Sequence, residues 1–238
     1  MNSLGFDKKE SDTKVIVAMS GGVDSSVAAV KLKKEGYDVT GVTLRLYNQV
    51  NTSKSKSCCA GIDINDAKKV AKQYNFSHLV LDYQEKFYDG VISNFIDSYA
   101  NGETPVPCIQ CNQTVKFTDL LEESKKLNAD ALVTGHYAIR RGGLKGSKLF
   151  KAKDTSKDQS YFLFATLQDQ LDYVRFPLGE YLKTEIRQMA EEFKLTVSDK
   201  PDSQDICFVT SDSYRDLINK IQPDINIEGN IFDVNGNK

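Results

Sequence analysis

No apolar run in this sequence approaches the roughly 20 residues that a membrane-spanning helix requires. The longest, such as Val15 to Met19, are short. The opening stretch, Met1 to Lys14, is polar and mixed in charge, which excludes a secretory signal and a basic transit peptide. The expectation is a cytosolic protein with no membrane partner. Histidine is scarce, with only His78 and His136. His78 opens a predicted strand and reads as structural, whereas His136 follows one and suits packing or capping at least as well as a pocket. Cysteine is also sparse and odd in number: Cys58, Cys59, Cys108, Cys111 and Cys207. In a cytosolic chain, five thiols with two very close spacings favour catalysis or metal binding over a disulfide framework.

What is present is an ordinary globular composition. The 238 residues are 40% hydrophobic and 27% charged, enough to bury a substantial core and intermediate between one and two domains. The net charge of −2 is small but uneven. Arg140, Arg141, Lys145, Lys148, Lys151, Lys153 and Lys157 face a single acid, Asp154, over residues 140–157, so this segment carries +6 and the rest −8. A local basic surface can hold a polyanion whatever the net charge. A solvated lysine-rich hairpin explains the charges equally well.

The first half alternates strand and helix signals. Val15 to Met19 reads as a buried strand, Ser25 to Glu35 as a helix stopped by Gly36, and Tyr37 to Leu46 as a second strand. Ile62 to Tyr74 is helical, His78 to Asp82 a third strand, Phe87 to Ala100 and Val115 to Lys126 helices, and Ala131 to Gly135 a fourth strand. Such alternation implies crossover connections and a doubly wound parallel α/β sheet covered on both faces. Beyond Gly135 the pattern changes. A hairpin over Tyr137 to Lys153 precedes shorter helices (Tyr161 to Thr166, Lys183 to Phe193, Asp212 to Ile221) and an extended stretch, Thr196 to Phe208. The stripe Tyr161, Phe162 and Phe164 reads as helix core. Ile231 to Val234 with Asn235-Gly236 reads as the first half of a hairpin, which predicts a further β-rich part beyond it. The polar segment Asn48 to Ser57 reads as a mobile loop.

Ser20-Gly21-Gly22-Val23-Asp24-Ser25-Ser26 lies between the first strand and the first helix. Two glycines allow a sharp turn that brings backbone N–H groups to an anion, and the following helix adds unpaired donors and its positive dipole end. Asp24 is unusual in an anion site and makes sense if it holds a magnesium ion bridging phosphate oxygens. The alternative is an N-cap with a glycine turn. No Gly-Lys-Ser/Thr follows, which disfavours γ-phosphate chemistry. The string resembles the pyrophosphate loop of enzymes that cleave ATP between the α- and β-phosphates. Cys108 and Cys111 lie three residues apart just before a predicted helix, where a thiolate is stabilised as nucleophile or metal ligand. Cys207 lies in Ser203-Gln204-Asp205-Ile206-Cys207-Phe208. A buried inert cysteine and half of a zinc site remain open for these thiols. For Cys58-Cys59 a local structural or regulatory role is expected.

Taken together, SGGVDSS, TPVPCIQCN, TGHY (Thr134 to Tyr137), KDQSYFL (Lys157 to Leu163), FPLGEYLKTEIR (Phe176 to Arg187) and SQDICF resemble the tRNA-specific 2-thiouridylase family, in one order from about Val15 to Val234. The resemblance implies that ATP adenylates the 2-oxygen of a wobble uridine in tRNA, releasing pyrophosphate. It further implies that a persulfide on Cys207, charged by a sulfur-donor protein, delivers sulfur, and that Cys111 releases it by closing a transient disulfide as AMP leaves. ATP contacts carry over to Ala18, Met19, Ser20, Gly21, Gly22, Val23, Asp24, Ser25, Leu44 and Gly135. Val106, Pro107 and Cys108 match a target-base segment, and Lys157, Asp158 and Gln159 a tRNA-contacting triplet. On this basis residues 1–137 form an ATP-binding catalytic domain, 138–226 a central tRNA-binding region with the second cysteine, and 227–238 the start of a C-terminal β-domain. Many family members have Asp where this chain has Cys108, which raises a second candidate: a [4Fe–4S] cluster on Cys108, Cys111 and Cys207. The rival functions are another adenylating enzyme of the same loop class, and a nucleotide-binding module with structural zinc.

Overall fold

The computed structural model of this chain describes residues 1–47, 61–202, 205–209, 213–223 and 230–238. The predicted loop Asn48 to Ser57 and the pair Cys58 and Cys59 lie outside the described residues.

Strand β1 (Lys14–Ala18), helix α1 (Val23–Glu35), β2 (Asp38–Arg45), α2 (Gly61–Gln73) and β3 (Ser77–Asp82) form where the hydrophobic periodicity places them. Gly36 ends α1 with φ +99°, its N–H donating to the Leu32 and Lys33 carbonyls, the left-handed cap that glycine adopts without steric cost. The next two helical stretches start earlier than expected. α3 (Gln84–Phe87) and α4 (Ser93–Ala100) are joined by a π-helical stretch, Tyr88–Ile92. Similarly, α5 (Pro107–Cys111) and α6 (Leu121–Lys126) are joined by a π-helical stretch, Asn112–Leu120. Pro107 occupies the first turn of α5, where its missing N–H costs nothing. Cys108 and Cys111 are therefore inside a helix, not in front of one.

β4 (Ala131–Val133) follows, then a hairpin of β5 (Ala138–Arg141) and β6 (Lys148–Lys151), antiparallel with Ala138 opposite Lys151. Next come α7 (Gln168–Tyr173), β7 (Val174–Arg175), α8 (Lys183–Glu192) and α9 (Tyr214–Ile221). The main sheet has the order β3-β2-β1-β4-β7, and every pairing is parallel. From β1 the chain winds outward to β2 and β3, then returns to place β4 on the other side. This reversal is the switch point at which open α/β sheets bind ligands.

Alternation along the central strands explains the two cores. Ile16 and Leu132 enter a cluster with Phe87, Phe95, Phe117 and Phe208. Their neighbours Val15, Val17 and Val133 enter the opposite cluster with Val27, Val30, Leu32 and Ile186. Period-two alternation thus buries both faces, as a doubly wound sheet requires.

Three expectations are corrected in the second half. The expected extended stretch Thr196 to Phe208 is not extended at its start: residues 196–199 turn, with Val197 buried. Tyr161 to Thr166 is not a helix with an aromatic core: a short 3-10 helix covers Ser160–Leu163, Leu163 is the buried residue, and Tyr161 and Phe164 are 63% and 68% exposed. Eclipsed side chains in a 3-10 turn give it only one inward face. Ile231 to Val234 forms no strand; these residues are open to solvent, and the Asp233 carboxylate and backbone close the Asn235-Gly236 turn. A strand needs a neighbour for its backbone groups, and the described residues supply none there. No helix of the described residues is long and apolar enough to cross a membrane.

Candidate functional site

The loop after β1 has the shape expected of an anion cradle. Gly21 has φ +76°, and a Cβ there would lie 2.2 Å from the Asp63 carbonyl oxygen, so only glycine fits both the conformation and the approach of α2. Gly22 enters α1 in extended conformation without a side-chain cap, which leaves the first N–H groups of the helix without a capping side chain. The simple N-cap reading is not what the structure adopts. Ser25 Oγ lies 3.1 Å from the Ser20 amide and 3.3 Å from Ser20 Oγ, tying the two sides of the loop together. Gly135, just beyond β4, has a virtual Cβ only 2.9 Å from the Ser25 amide nitrogen. The ends of β1 and β4 thus converge on the first turn of α1, which brings Gly135 to the loop of residues 18–25. Leu44, near the end of β2, is buried in the neighbouring core.

Asp24 is the centre of a network that sequence reasoning missed. Lys183, the first residue of α8, places Nζ 2.7 and 2.9 Å from the two Asp24 carboxylate oxygens. The Tyr137 hydroxyl donates to Asp24 Oδ1 at 2.8 Å. Burial raises the Tyr137 hydroxyl pKa, and the Asp24 charge raises it further, so this phenol stays a donor. Lys183 also lies 2.9 Å from Asp202 Oδ1. Asp202 further accepts from Arg187 at 2.7 Å and Lys157 at 3.0 Å. Partial burial pushes the Asp202 carboxyl up, but Lys183 and Lys157 outweigh it and hold the group well below the usual carboxylate range. A second lysine, Lys200, also reaches the loop, donating to the Gly21 carbonyl at 3.0 Å, Asp63 at 2.6 Å and Asp66 at 2.8 Å. Lys183 lies within a motif singled out above, yet no sequence signal shows that it meets a residue 159 positions earlier.

Cys111 is buried in the core cluster that holds Leu44 and Phe208, and Cys207 packs against that same cluster. The Tyr47 hydroxyl, just past the end of β2, donates to the Cys207 carbonyl at 2.7 Å. Phe208 locks the segment by meeting Phe87 and Phe95 edge-on, at centroid distances of 5.6 and 5.2 Å. Cys108 is exposed on α5 while Cys111 faces inward. Among the described residues no three His, Cys, Asp or Glu side chains are grouped to hold a metal ion. Cys108, Cys111 and Cys207 are thus not grouped as a ligand set among the described residues, and nothing here supports the [4Fe–4S] alternative or structural zinc. Magnesium is a different case, since it is held through one or two carboxylates together with phosphates and water. Asp24, in the first turn of α1 beside the loop, is a carboxylate suited to that part.

The remaining predicted positions divide by exposure. Val106 and Cys108 face solvent at the start of α5, with Pro107 buried between them. Lys157, Asp158 and Gln159 are engaged inside the chain. Lys157 pairs with Asp202, Asp158 accepts from the Ala152 amide at 2.8 Å and Ser160 Oγ at 2.7 Å, and Gln159 accepts from the Tyr137 amide at 3.0 Å. The basic segment is partly neutralised as well, with Arg141 on Glu180 and Lys153 on Glu185. His136 is held neutral, its pKa pushed well below the ordinary value by burial and then by Lys116. It bonds Thr134 Oγ1 at 2.7 Å and meets Phe117 and Phe176 edge-on, a packing role. His78 is also structural: burial lowers its pKa to about 4, and Nε2 bonds Thr43 Oγ1 at 2.8 Å.

A family profile described as tRNA methyl transferase HUP domain matches residues 13–211. A protein of Rhodospirillum centenum named tRNA-specific 2-thiouridylase MnmA is 53% identical over 237 residues, covering 99% of this chain and 60% of that protein. One of the same name from Jannaschia sp. is 54% identical over 239 residues, covering 100% of this chain and 63% of that protein. The chain therefore spans about 60% of the length of the relatives it matches. A solved 4-thiouridine synthetase in complex with RNA and ATP superimposes with a TM-score of 0.55 at 18% identity, over 90% of this chain and 51% of that one. That likeness concerns the fold.

Proposed function

The chain belongs to the tRNA methyl transferase HUP domain family, and from that premise we propose that it is the nucleotide-binding and sulfur-transferring part of a tRNA-specific 2-thiouridylase. The observation that carries the proposal is the convergence of three features at one sheet edge. The glycine loop follows β1, Gly135 closes on it from the end of β4, and Tyr47 holds the Cys207 segment beside the end of β2, over the core that buries Cys111.

In this reading the loop amides, the dipole of α1 and Ser20 and Ser25 cradle the phosphates of ATP. Bound magnesium, held by Asp24, offsets negative charge on the polyphosphate. The wobble uridine enters beside Val106 and Cys108, splayed from its loop as unpaired RNA bases permit. Its 2-oxygen attacks the α-phosphorus and pyrophosphate leaves, which turns a poor leaving group into a good one. The terminal sulfur of a Cys207 persulfide, loaded by a donor protein, adds at C2 and AMP departs. The Cys111 thiolate then attacks Cys207 Sγ, so that a Cys111–Cys207 disulfide forms and the new sulfur stays on the base. An external thiol reductant restores both cysteines. Such an enzyme works in the cytoplasm, where tRNA and reducing thiols are found.

The test is pyrophosphate release from ATP in the presence of unmodified tRNA with a wobble uridine, alongside 2-thiouridine analysis. Cys111→Ala and Cys207→Ala should each abolish thiolation, while pyrophosphate release persists in at least one. Release that ignores RNA, with both variants behaving as the parent, would sink the proposal in favour of another adenylating enzyme.

A further inference from the structure

Lys183 carries a role that the proposed function does not assign. Its side chain is 11% exposed, and the ammonium lies between two carboxylates, Asp24 and Asp202. Asp202 would keep two other cations if Lys183 left, since Lys157 and Arg187 also face that carboxylate. Asp24 is likewise supported without it, by the Tyr137 hydroxyl and by its place in the first turn of α1, where the dipole favours negative charge. The cation therefore stands where an incoming anion would compete with Asp24 for it. The other lysine at the loop is differently placed. Lys200 is engaged by the Gly21 carbonyl, Asp63 and Asp66 together, and so braces the loop against α2.

We propose that Lys183 is the phosphate-binding cation of the loop, held on Asp24 until a polyphosphate arrives. The inference rests on the nucleotide reading above. Transfer of the ammonium from Asp24 to a non-bridging oxygen of the β- or γ-phosphate uncovers the Asp24 carboxylate for a divalent cation. One movement thus prepares both charge partners of the polyphosphate. Asp202 is the pivot, because its other two cations keep it in place while Lys183 moves. Several anchors fix the start of α8 for this purpose. The Lys183 amide donates to Asp154 at 2.9 Å and the Leu182 amide to Glu185 at 2.5 Å. Gly179 packs so closely on β5 that a Cβ would lie 1.9 Å from the Ala138 carbonyl oxygen.

The experiment is calorimetric titration of the parent chain, Lys183→Met and Lys183→Arg with ATP, pyrophosphate and AMP in magnesium. A lost charge-assisted hydrogen bond should weaken ATP and pyrophosphate roughly tenfold to a hundredfold in Lys183→Met. AMP, which lacks the β- and γ-phosphates, should change by less than about twofold on the same reasoning. Lys183→Arg should recover most of the ATP affinity. Because Lys183→Met leaves Asp24 uncompensated, the pair Asp24→Asn and Asp24→Asn/Lys183→Met repeats the comparison without that charge, and the double variant should still bind ATP more weakly than the single one. Unchanged ATP affinity in Lys183→Met, or a parallel loss for ATP and AMP, overturns the inference and leaves the nucleotide reading intact. A parent chain that binds neither ATP nor pyrophosphate overturns both.

Discussion

Single atoms decide much of the loop. Gly21 combines a positive φ with a backbone contact that no side chain tolerates. Gly21→Ala is therefore expected to lower unfolding free energy by more than about 1 kcal/mol, the cost of left-handed backbone for an L-residue. It should also remove measurable ATP binding, since the loop must shift away from Asp63; urea unfolding and nucleotide titration check the two effects. Asp202 makes a pH-dependent contribution. Its folded pKa lies below the ordinary value of about 3.9, so the stabilisation is fully present above that value and is lost as pH falls from there towards the depressed one. Asp202→Asn should cost roughly 1–3 kcal/mol at pH 7. The gap to the parent should narrow below about pH 4 as the parent carboxylate protonates, which urea titrations at stepped pH would reveal.

Elements position the thiols. Cys207 lies among described residues, 205–209, that form no helix or strand, held by the Tyr47 bond to its carbonyl and by Phe208 between Phe87 and Phe95. Removing a buried aromatic ring costs about 3 kcal/mol. The consequence of Phe208→Ala should be selective: thiolation falls at least tenfold while ATP affinity stays within twofold, because the loop packs on different partners. Equal loss of both would show that the segment is not an independent support. Cys111 is placed by α5, whose start at Pro107 turns Cys108 outward and Cys111 inward. The π-helical stretch that follows shifts the register of the later residues, and π-bulges are found frequently at functional sites.

At the scale of the whole molecule, the loop depends on residues from far along the chain. Lys183 and Lys200 reach it from the second half, and β7 supplies the outermost parallel strand beside β4. Leu178, Ile186 and Ala190 fill the core over α1. Residues 1–137 expressed alone should therefore leave that apolar surface open. The fragment is expected to aggregate or unfold without cooperativity, and to bind ATP at least tenfold more weakly than the whole chain. A monodisperse, cooperative fragment with unchanged ATP affinity would contradict this view of the assembly.

Local pattern was enough for β1, α1, β2, α2, β3 and the hairpin, because the strand, helix and turn signals of each lie in neighbouring residues. It was enough for the glycine loop too, since strand, turn and helix signals are contiguous there. It failed at β7, a strand of two residues too short to show a period, and at Tyr161 and Phe164, where a tighter helical turn exposed rings that composition placed inside. It overstated the basic segment, because Glu180, Glu185 and Asp202, which partly neutralise it, lie outside the window in which charge was counted. The loop and the first four strands of the sheet were thus legible in the sequence alone. Which charges meet Asp24, which cysteine faces the core and which lysine touches the loop were decided only by tertiary structure, since these contacts join residues that no local period relates.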